Sequence, residues 1–68
     1  AMIFTSTDYT NVYILDKKAN KIISISKDGT IDNQYLWSNL SKATSFAVDE
    51  EADKVFVTID NKLYSFDL

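Results

Sequence analysis

One strand pattern occurs twice in these 68 residues, and this internal repeat constrains the fold more than any other feature of the sequence. A shift of 43 positions aligns the segment VYI at 12–14 with VFV at 55–57, and a shift of 41 aligns KIISI at 21–25 with KLYSF at 62–66. The two shifts differ because a connection can lose residues, whereas a slip within a strand would turn every side chain over. The chain is therefore predicted to be a repeat protein with a period in the low forties.

Seven short strands are predicted from β-branched and aromatic runs separated by Asp, Asn and Gly. They cover residues 3–6, 12–15, 21–26, 31–37, 44–49, 54–59 and 62–68. The second run is apolar at every position, which is typical of a strand covered on both faces. Asp28 and Gly29 predict a tight hairpin, with the chain's one glycine at a positive φ. Residues 38–43 are predicted to form a connection with one helical turn, capped by Ser38 or Ser41.

Four short strands in a repeat of this length are typical of a β-propeller blade. The predicted fold is all-β: two antiparallel β-propeller blades with strands in the order A-B-C-D-A-B-C, part of a ring completed by other blades. Residues 1–68 form a single β-repeat unit, with blade one at about 1–37 and blade two at about 44–68. Since blades that are apolar on both faces are not stable bare in water, the chain is predicted not to be a monomer. Its partners are then further copies of itself, with three chains giving six blades or four giving eight, or neighbouring blades of a longer chain.

The residues predicted to pack between blades are large and apolar or aromatic, mostly at repeat-matched strand positions. They are Tyr13, Ile14, Ile23, Ile25, Trp37, Phe46, Phe56, Val57, Tyr64 and Phe66. The aromatic members also have the chemistry of base-stacking platforms, but repeat-matched spacing favours packing between blades. The acidic segment 49–53 lacks the spaced ligands and the glycine of an EF-hand loop, and it is predicted to be a solvated turn.

The segments NVYILDKKANKIISISKDGT and ATSFAVDEEADKVFVTIDNKLYSFDL resemble bacterial β-propeller repeats of the NHL, YVTN and WD40-like superfamily, and together they span most of the chain. The Gly-His and Trp-Asp pairs of true WD40 blades are absent, since Trp37 is followed by Ser38. The resemblance implies a scaffold that binds other proteins or small ligands at the ends of a central channel, and sometimes an enzyme built on the same fold. Of these we expect a non-catalytic pair of blades that self-assembles or completes a ring-shaped binding scaffold. Two alternatives are a C-terminal fragment of a propeller sensor or enzyme with its active site elsewhere, and a small stand-alone β-barrel.

The composition argues against disulfide bonds, metal or haem binding and nucleophilic catalysis. The chain has no Cys and no His, so disulfides and the usual zinc or haem ligands are absent. Ser24 and Ser65 occupy matching strand positions, but neither has a histidine base or an elbow motif of the Gly-x-Ser-x-Gly type. The sequence therefore predicts no catalytic, cofactor-binding or metal-binding residue and no cofactor, and it indicates that the protein is not an enzyme.

The charge and hydropathy of the chain argue against nucleic acids and membranes as binding partners. Seven lysines against ten acidic residues give a net charge of −3, with no arginine, which argues against a nucleic-acid partner. No apolar run exceeds four residues, far below the roughly 20 that a membrane helix needs. We expect a soluble protein with no signal or transmembrane segment in this chain and no membrane partner. Neither the ligand nor the cellular compartment is predicted.

Overall fold

A computed structural model describes residues 2–68, which form seven strands and one 3-10 segment. The strands are β1 (Met2–Phe4), β2 (Asn11–Asp16), β3 (Lys21–Ser26), β4 (Ile31–Leu36), β5 (Ser45–Asp49), β6 (Lys54–Ile59) and β7 (Lys62–Asp67). The 3-10 segment spans Ser38–Lys42. Ala1, which was assigned to the first blade, lies outside the described residues.

The strands form two antiparallel sheets in simple chain order. The first sheet has the order β1-β2-β3-β4 and the second has the order β5-β6-β7. The all-β class and the division into four strands followed by three are confirmed. The bounds of β3 and β6 are the predicted ones, and the other strands differ by one or two residues at their ends. Over residues 2–68 the sheets are separate hydrogen-bonded units, an arrangement different from the closed barrel considered as an alternative.

Short polar turns fix the register of the hairpins. Asp60 and Asn61 have φ values of 50° and 63°, which suit a two-residue hairpin whose twist matches that of the flanking strands. Gly29 has a φ of 96°, as predicted for the turn between β3 and β4. Asn20 and Asp53 also adopt positive φ at the ends of their turns. Asn, Asp and Gly tolerate this conformation best, so the local sequence determines these connections.

The connection between the sheets is anchored by its apolar residues and not by a side-chain cap. The predicted cap at Ser38 or Ser41 is wrong, because Trp37 occupies the cap position and no side chain bonds to the free amides there. Leu40 is fully buried and Ala43 lies beside it in the core. A 3-10 turn of five residues is too short to be stable alone. Burial of Leu40 stabilises it, and so does the Asn20 side chain, which accepts a hydrogen bond from the Ser41 amide (N to Oδ1, 3.0 Å).

The two sheets pack face to face around one apolar core. Side chains alternate along each strand, so each sheet has an inner face turned toward the other sheet and an outer face turned away. Phe4 of β1 packs against Phe46 of β5 with ring centroids 6.3 Å apart, so the first strands of the two sheets lie close together. No helix in the described part of the chain is long and apolar enough to cross a membrane. The buried apolar residues are Tyr13, Leu15, Ile22, Leu40, Ala43, Val48, Val55, Val57 and Ile59.

Candidate interaction surfaces

Six of the ten residues predicted to pack between blades lie between the two sheets. Trp37 packs against Tyr64 with ring centroids 5.4 Å apart, and Phe66 packs against Tyr35 at 6.0 Å. Phe46 packs against Phe4 from across the core, as described above. The other two of the six, Tyr13 and Val57, are buried in the core between the inner faces.

The other four predicted residues lie on outer faces. Ile14, Ile23 and Ile25 are on the outer face of the first sheet and are only half-buried, whereas Phe56 is on the outer face of the second sheet. The structure therefore does not bring these four into the contact between the sheets.

The outer face of the first sheet is an apolar surface built from two cross-strand rows. One row runs through Ile3, Ile14 and Ile23, and the other runs through Val12, Ile25 and Ile31. Ile3 and Ile31 are 67% and 56% exposed. Burial of isoleucine and valine side chains is favourable, so this face has the composition of a buried surface although its residues are half-buried or exposed. We call these six residues the isoleucine face.

The outer face of the second sheet has fewer large apolar residues than the isoleucine face. Phe56 lies between Ala47 and Ser65 in one cross-strand row, and Thr58 lies beside Leu63 in the next. Leu63 is 67% exposed and Phe56 is half-buried. The direct cross-strand neighbours of the Phe56 ring, Ala47 and Ser65, are small.

Residues that the offset of 43 or 41 positions aligns in the sequence face opposite ways relative to the contact between the sheets. Val55 and Val57 face inward in the second sheet and are fully buried, while their equivalents Val12 and Ile14 face outward in the first. The same reversal relates Tyr64, which faces inward, to Ile23, which faces outward. In this alignment the sheets are stacked head to tail, because the inner face of the first sheet corresponds to the outer face of the second.

An aromatic groove lies between β4 and β7 at the side of the stack. It is lined by Tyr35, Leu36, Trp37, Tyr64, Ser65 and Phe66, and it encloses a volume of ≈ 370 Å³. Tyr64 is 38% exposed and Trp37 is half-buried, so the groove opens to solvent. Volumes of this size are large enough for several side chains of a ligand.

A carboxylate between the sheets was missed by sequence reasoning. Glu50 lies in the turn after β5, and its side chain accepts hydrogen bonds from the Thr10 amide (N to Oε1, 2.9 Å), the Asn11 amide (N to Oε2, 3.2 Å) and the Tyr13 hydroxyl (Oη to Oε2, 2.7 Å). The segment 49–53 is thus not uniformly solvated, and the expectation of a plain acidic turn is wrong at Glu50. No local pattern separates Glu50 from Glu51, because the donors come from the first sheet.

The contact between Glu50 and Tyr13 shifts the pKa values of both side chains. Burial opposes ionisation of Glu50, but the hydrogen bonds from Tyr13, Thr10 and Asn11 outweigh it and lower the pKa of the Glu50 carboxyl. Burial, followed by the hydrogen bond to Glu50, raises the pKa of the Tyr13 hydroxyl. Both shifts favour a charged carboxylate that accepts from a neutral phenol. The contact links the turn after β5 to the start of β2. Among residues 2–68 no three acidic side chains are grouped closely enough to hold a metal ion.

A second polar contact supports the first. The Tyr9 hydroxyl donates to the Val48 carbonyl (Oη to O, 2.5 Å), which ties the loop before β2 to β5. Asn11 donates its amide to the buried Ser24 hydroxyl (Nδ2 to Oγ, 2.6 Å) and to Asp32 (Nδ2 to Oδ2, 2.7 Å). Ser24 is therefore a satisfied structural hydroxyl, and Ser65, its repeat equivalent, lies exposed on the second sheet.

Comparison with known proteins adds no relative. No protein-family model matches the chain, and no match was found among curated proteins or among solved structures.

Proposed function

We propose that this chain is a non-catalytic pair of β-propeller blades that assembles with further copies of itself into a ring-shaped binding scaffold. The observation that carries the proposal is the head-to-tail stacking of the two sheets, in which Val57 faces inward and its equivalent Ile14 faces outward. A head-to-tail contact joins two different faces, so each copy that binds through one face still presents the other. It leaves one unmatched face at each end of the stack, so further copies add in the same sense until a ring closes.

The chemistry of the two free faces supports this sense of addition. Within the chain, the inner face of the first sheet presents Tyr13 and Ile22 to the second sheet. Their repeat equivalents, Phe56 and Leu63, lie on the outer face of the second sheet. A second copy would place its isoleucine face against Phe56 and Leu63, which reproduces the contact already present inside one chain.

The free energy available from burying the isoleucine face favours assembly. Full burial of one isoleucine or valine side chain stabilises by roughly 1.5–3 kcal/mol, and the isoleucine face offers six such side chains that are now half-buried or exposed. A chain of 68 residues has a small core of its own, so this additional burial is large relative to its stability. The contact between Phe4 and Phe46 brings β1 and β5 together, as expected for blades whose first strands line a common axis.

The mass in solution tests assembly. Light scattering after size exclusion should give a multiple of 7.7 kDa for the unmodified chain. Ile14→Asp places an unpaired charge in the isoleucine face and should give a folded monomer. Ala19→Asp, which adds the same charge in the exposed β2–β3 hairpin, should assemble normally. A monodisperse mass near 7.7 kDa for the unmodified chain at high concentration contradicts the proposal.

A mixing experiment tests the head-to-tail sense. Ile14→Asp blocks one outer face and Phe56→Asp blocks the other, so each variant alone should be monomeric. Their mixture should form a dimer and stop there, because one intact face of each kind remains. If the contact joined two isoleucine faces, Phe56→Asp alone would dimerise and the mixture would gain nothing.

A further inference from the structure

The free edge of β7 borders the aromatic groove. In the β6–β7 hairpin, Ile59 pairs with Lys62 across a two-residue turn, and Val57 pairs with Tyr64. Hydrogen bonds alternate along an antiparallel ladder, and the Leu68 amide continues this one by donating to the Asp53 carbonyl (N to O, 2.9 Å).

The alternation fixes which groups of β7 are free. The amides and carbonyls of Tyr64 and Phe66 point to β6, while those of Leu63 and Ser65 point to the open edge. The side chains of β7 alternate between the two faces of the sheet. Those of Tyr64 and Phe66 turn toward the groove, and those of Leu63 and Ser65 turn to the outer face. An unpaired backbone row thus runs directly beside an aromatic surface.

The first repeat shows what covers such an edge. β3 is the repeat equivalent of β7, and its corresponding edge is occupied by the extended strand β4, paired from Lys21 with Leu36 to Ile25 with Ile31. No strand in residues 2–68 occupies that position on β7. The protein's own architecture therefore identifies an antiparallel strand as the ligand that this edge fits.

We infer that the β7 edge and the aromatic groove together bind an extended peptide segment of a partner protein, which adds to the second sheet as a fourth strand. Its residues opposite Tyr64 and Phe66 place apolar side chains in the groove against Tyr35 and Trp37. Its alternate residues exchange backbone hydrogen bonds with Leu63 and Ser65 and point their side chains outward. The site lies at the side of the stack, so the inference does not depend on ring assembly.

The chain supplies its own reporter for the test. Trp37 is the only tryptophan in the sequence and lines the groove. The ligand used is a capped seven-residue peptide with valine, threonine, valine, threonine and leucine between terminal lysines. Titration should give a saturable shift of tryptophan emission to shorter wavelength, because the peptide excludes water from the indole. Absence of a saturable shift overturns the inference.

Two isomeric peptides separate strand pairing from simple apolar contact. N-methylation of the two threonine amides removes the donors that face Leu63 and Ser65, and it should abolish binding. N-methylation of the valine amides alters groups that point away from β7, and binding should persist. Equal binding of both isomers would mean that the groove takes an apolar ligand without strand addition, which contradicts the inference.

Variants of the protein provide matched controls. Tyr64→Ala should weaken peptide binding about tenfold through loss of an aromatic contact, whereas Lys18→Ala, at an exposed position of the β2–β3 hairpin outside the groove, should leave it unchanged. Ser65→Pro removes a free-edge amide without breaking the β6–β7 ladder, so binding should be lost with the circular dichroism spectrum preserved. If Ser65→Pro does not fold, the N-methylated peptides still decide the question on the unmodified chain.

Discussion

Glu50 is the clearest place to test whether a single carboxylate holds the two sheets together. Glu50→Gln keeps the size of the side chain but removes its charge and one of its two acceptor oxygens. The Thr10 and Asn11 amides and the buried Tyr13 hydroxyl all donate to this carboxylate. After the substitution, at least one of these donors faces an amide group that also donates.

The expected loss follows from the number and kind of these bonds. A hydrogen bond to a charged group contributes about 1.5–3 kcal/mol, and an unsatisfied buried donor costs about 1–3 kcal/mol. Because glutamine retains one acceptor, we expect a net destabilisation of about 2 kcal/mol at pH 7. For a domain of this size, that corresponds to a fall in Tm of roughly 8–16 °C.

The pH dependence has a definite sign. The pKa of Glu50 is lower in the folded protein than its ordinary value of 4.5, so the folded state favours the charged form. The stabilisation is therefore complete above pH 4.5 and is lost as the pH falls through the folded-state pKa. The difference in unfolding free energy between the unmodified chain and Glu50→Gln should shrink in the same window.

Urea denaturation at several pH values measures these differences, with Glu51→Gln as the matched control. Glu51 is the exposed neighbour of Glu50, so the control removes the same charge from the same turn and should change stability by less than about 0.5 kcal/mol. Unfolding of the two variants at the same urea concentration at pH 7 would contradict a role for Glu50 in stability. A difference between Glu50→Gln and the unmodified chain that is unchanged at low pH would contradict a role for its charge.

Four further substitutions, one of them a control, probe the core and two turns. Val57→Asp buries an unpaired charge at a fully buried position and should unfold the chain in circular dichroism, whereas Glu51→Lys should melt like the unmodified protein. Leu40→Ala should lower the unfolding free energy by about 2–4 kcal/mol in urea titration, since it empties the one fully buried site of the 3-10 segment. Gly29→Ala meets no atom within 4 Å, so its cost should be only the backbone strain at positive φ, about 1–2 kcal/mol by thermal melting. A neutral Leu40→Ala or a neutral Gly29→Ala would each contradict its stated cause.

Local structure followed from local sequence. The strands β3 and β6 have their predicted bounds because each begins at a lysine, is rich in β-branched apolar residues and ends near a turn signal. Asp60 and Asn61 form the predicted two-residue turn because both residues tolerate positive φ. The bounds of β1 and the cap of the 3-10 segment were wrong, since pairing with β2 and burial of Leu40 decided them.

The choice of inner and outer faces did not follow from the sequence. Val57 and its repeat equivalent Ile14 have the same chemistry, yet one is fully buried between the sheets and the other lies on an outer face. Both strands are apolar on both sides, so alternation alone does not indicate which side another sheet covers. That decision depends on how the two sheets stack.

The sequence by itself determined seven strands, their order and their turns, because backbone preferences and side-chain alternation act over a few residues. Only the tertiary structure decided the head-to-tail contact, the aromatic groove beside β7 and the role of Glu50. The donors that hold Glu50 lie 37 to 40 positions away in the chain. Glu50 and Glu51 differ in function because the folded sheets bring Tyr13 and Thr10 to one of them, and no local pattern records that approach.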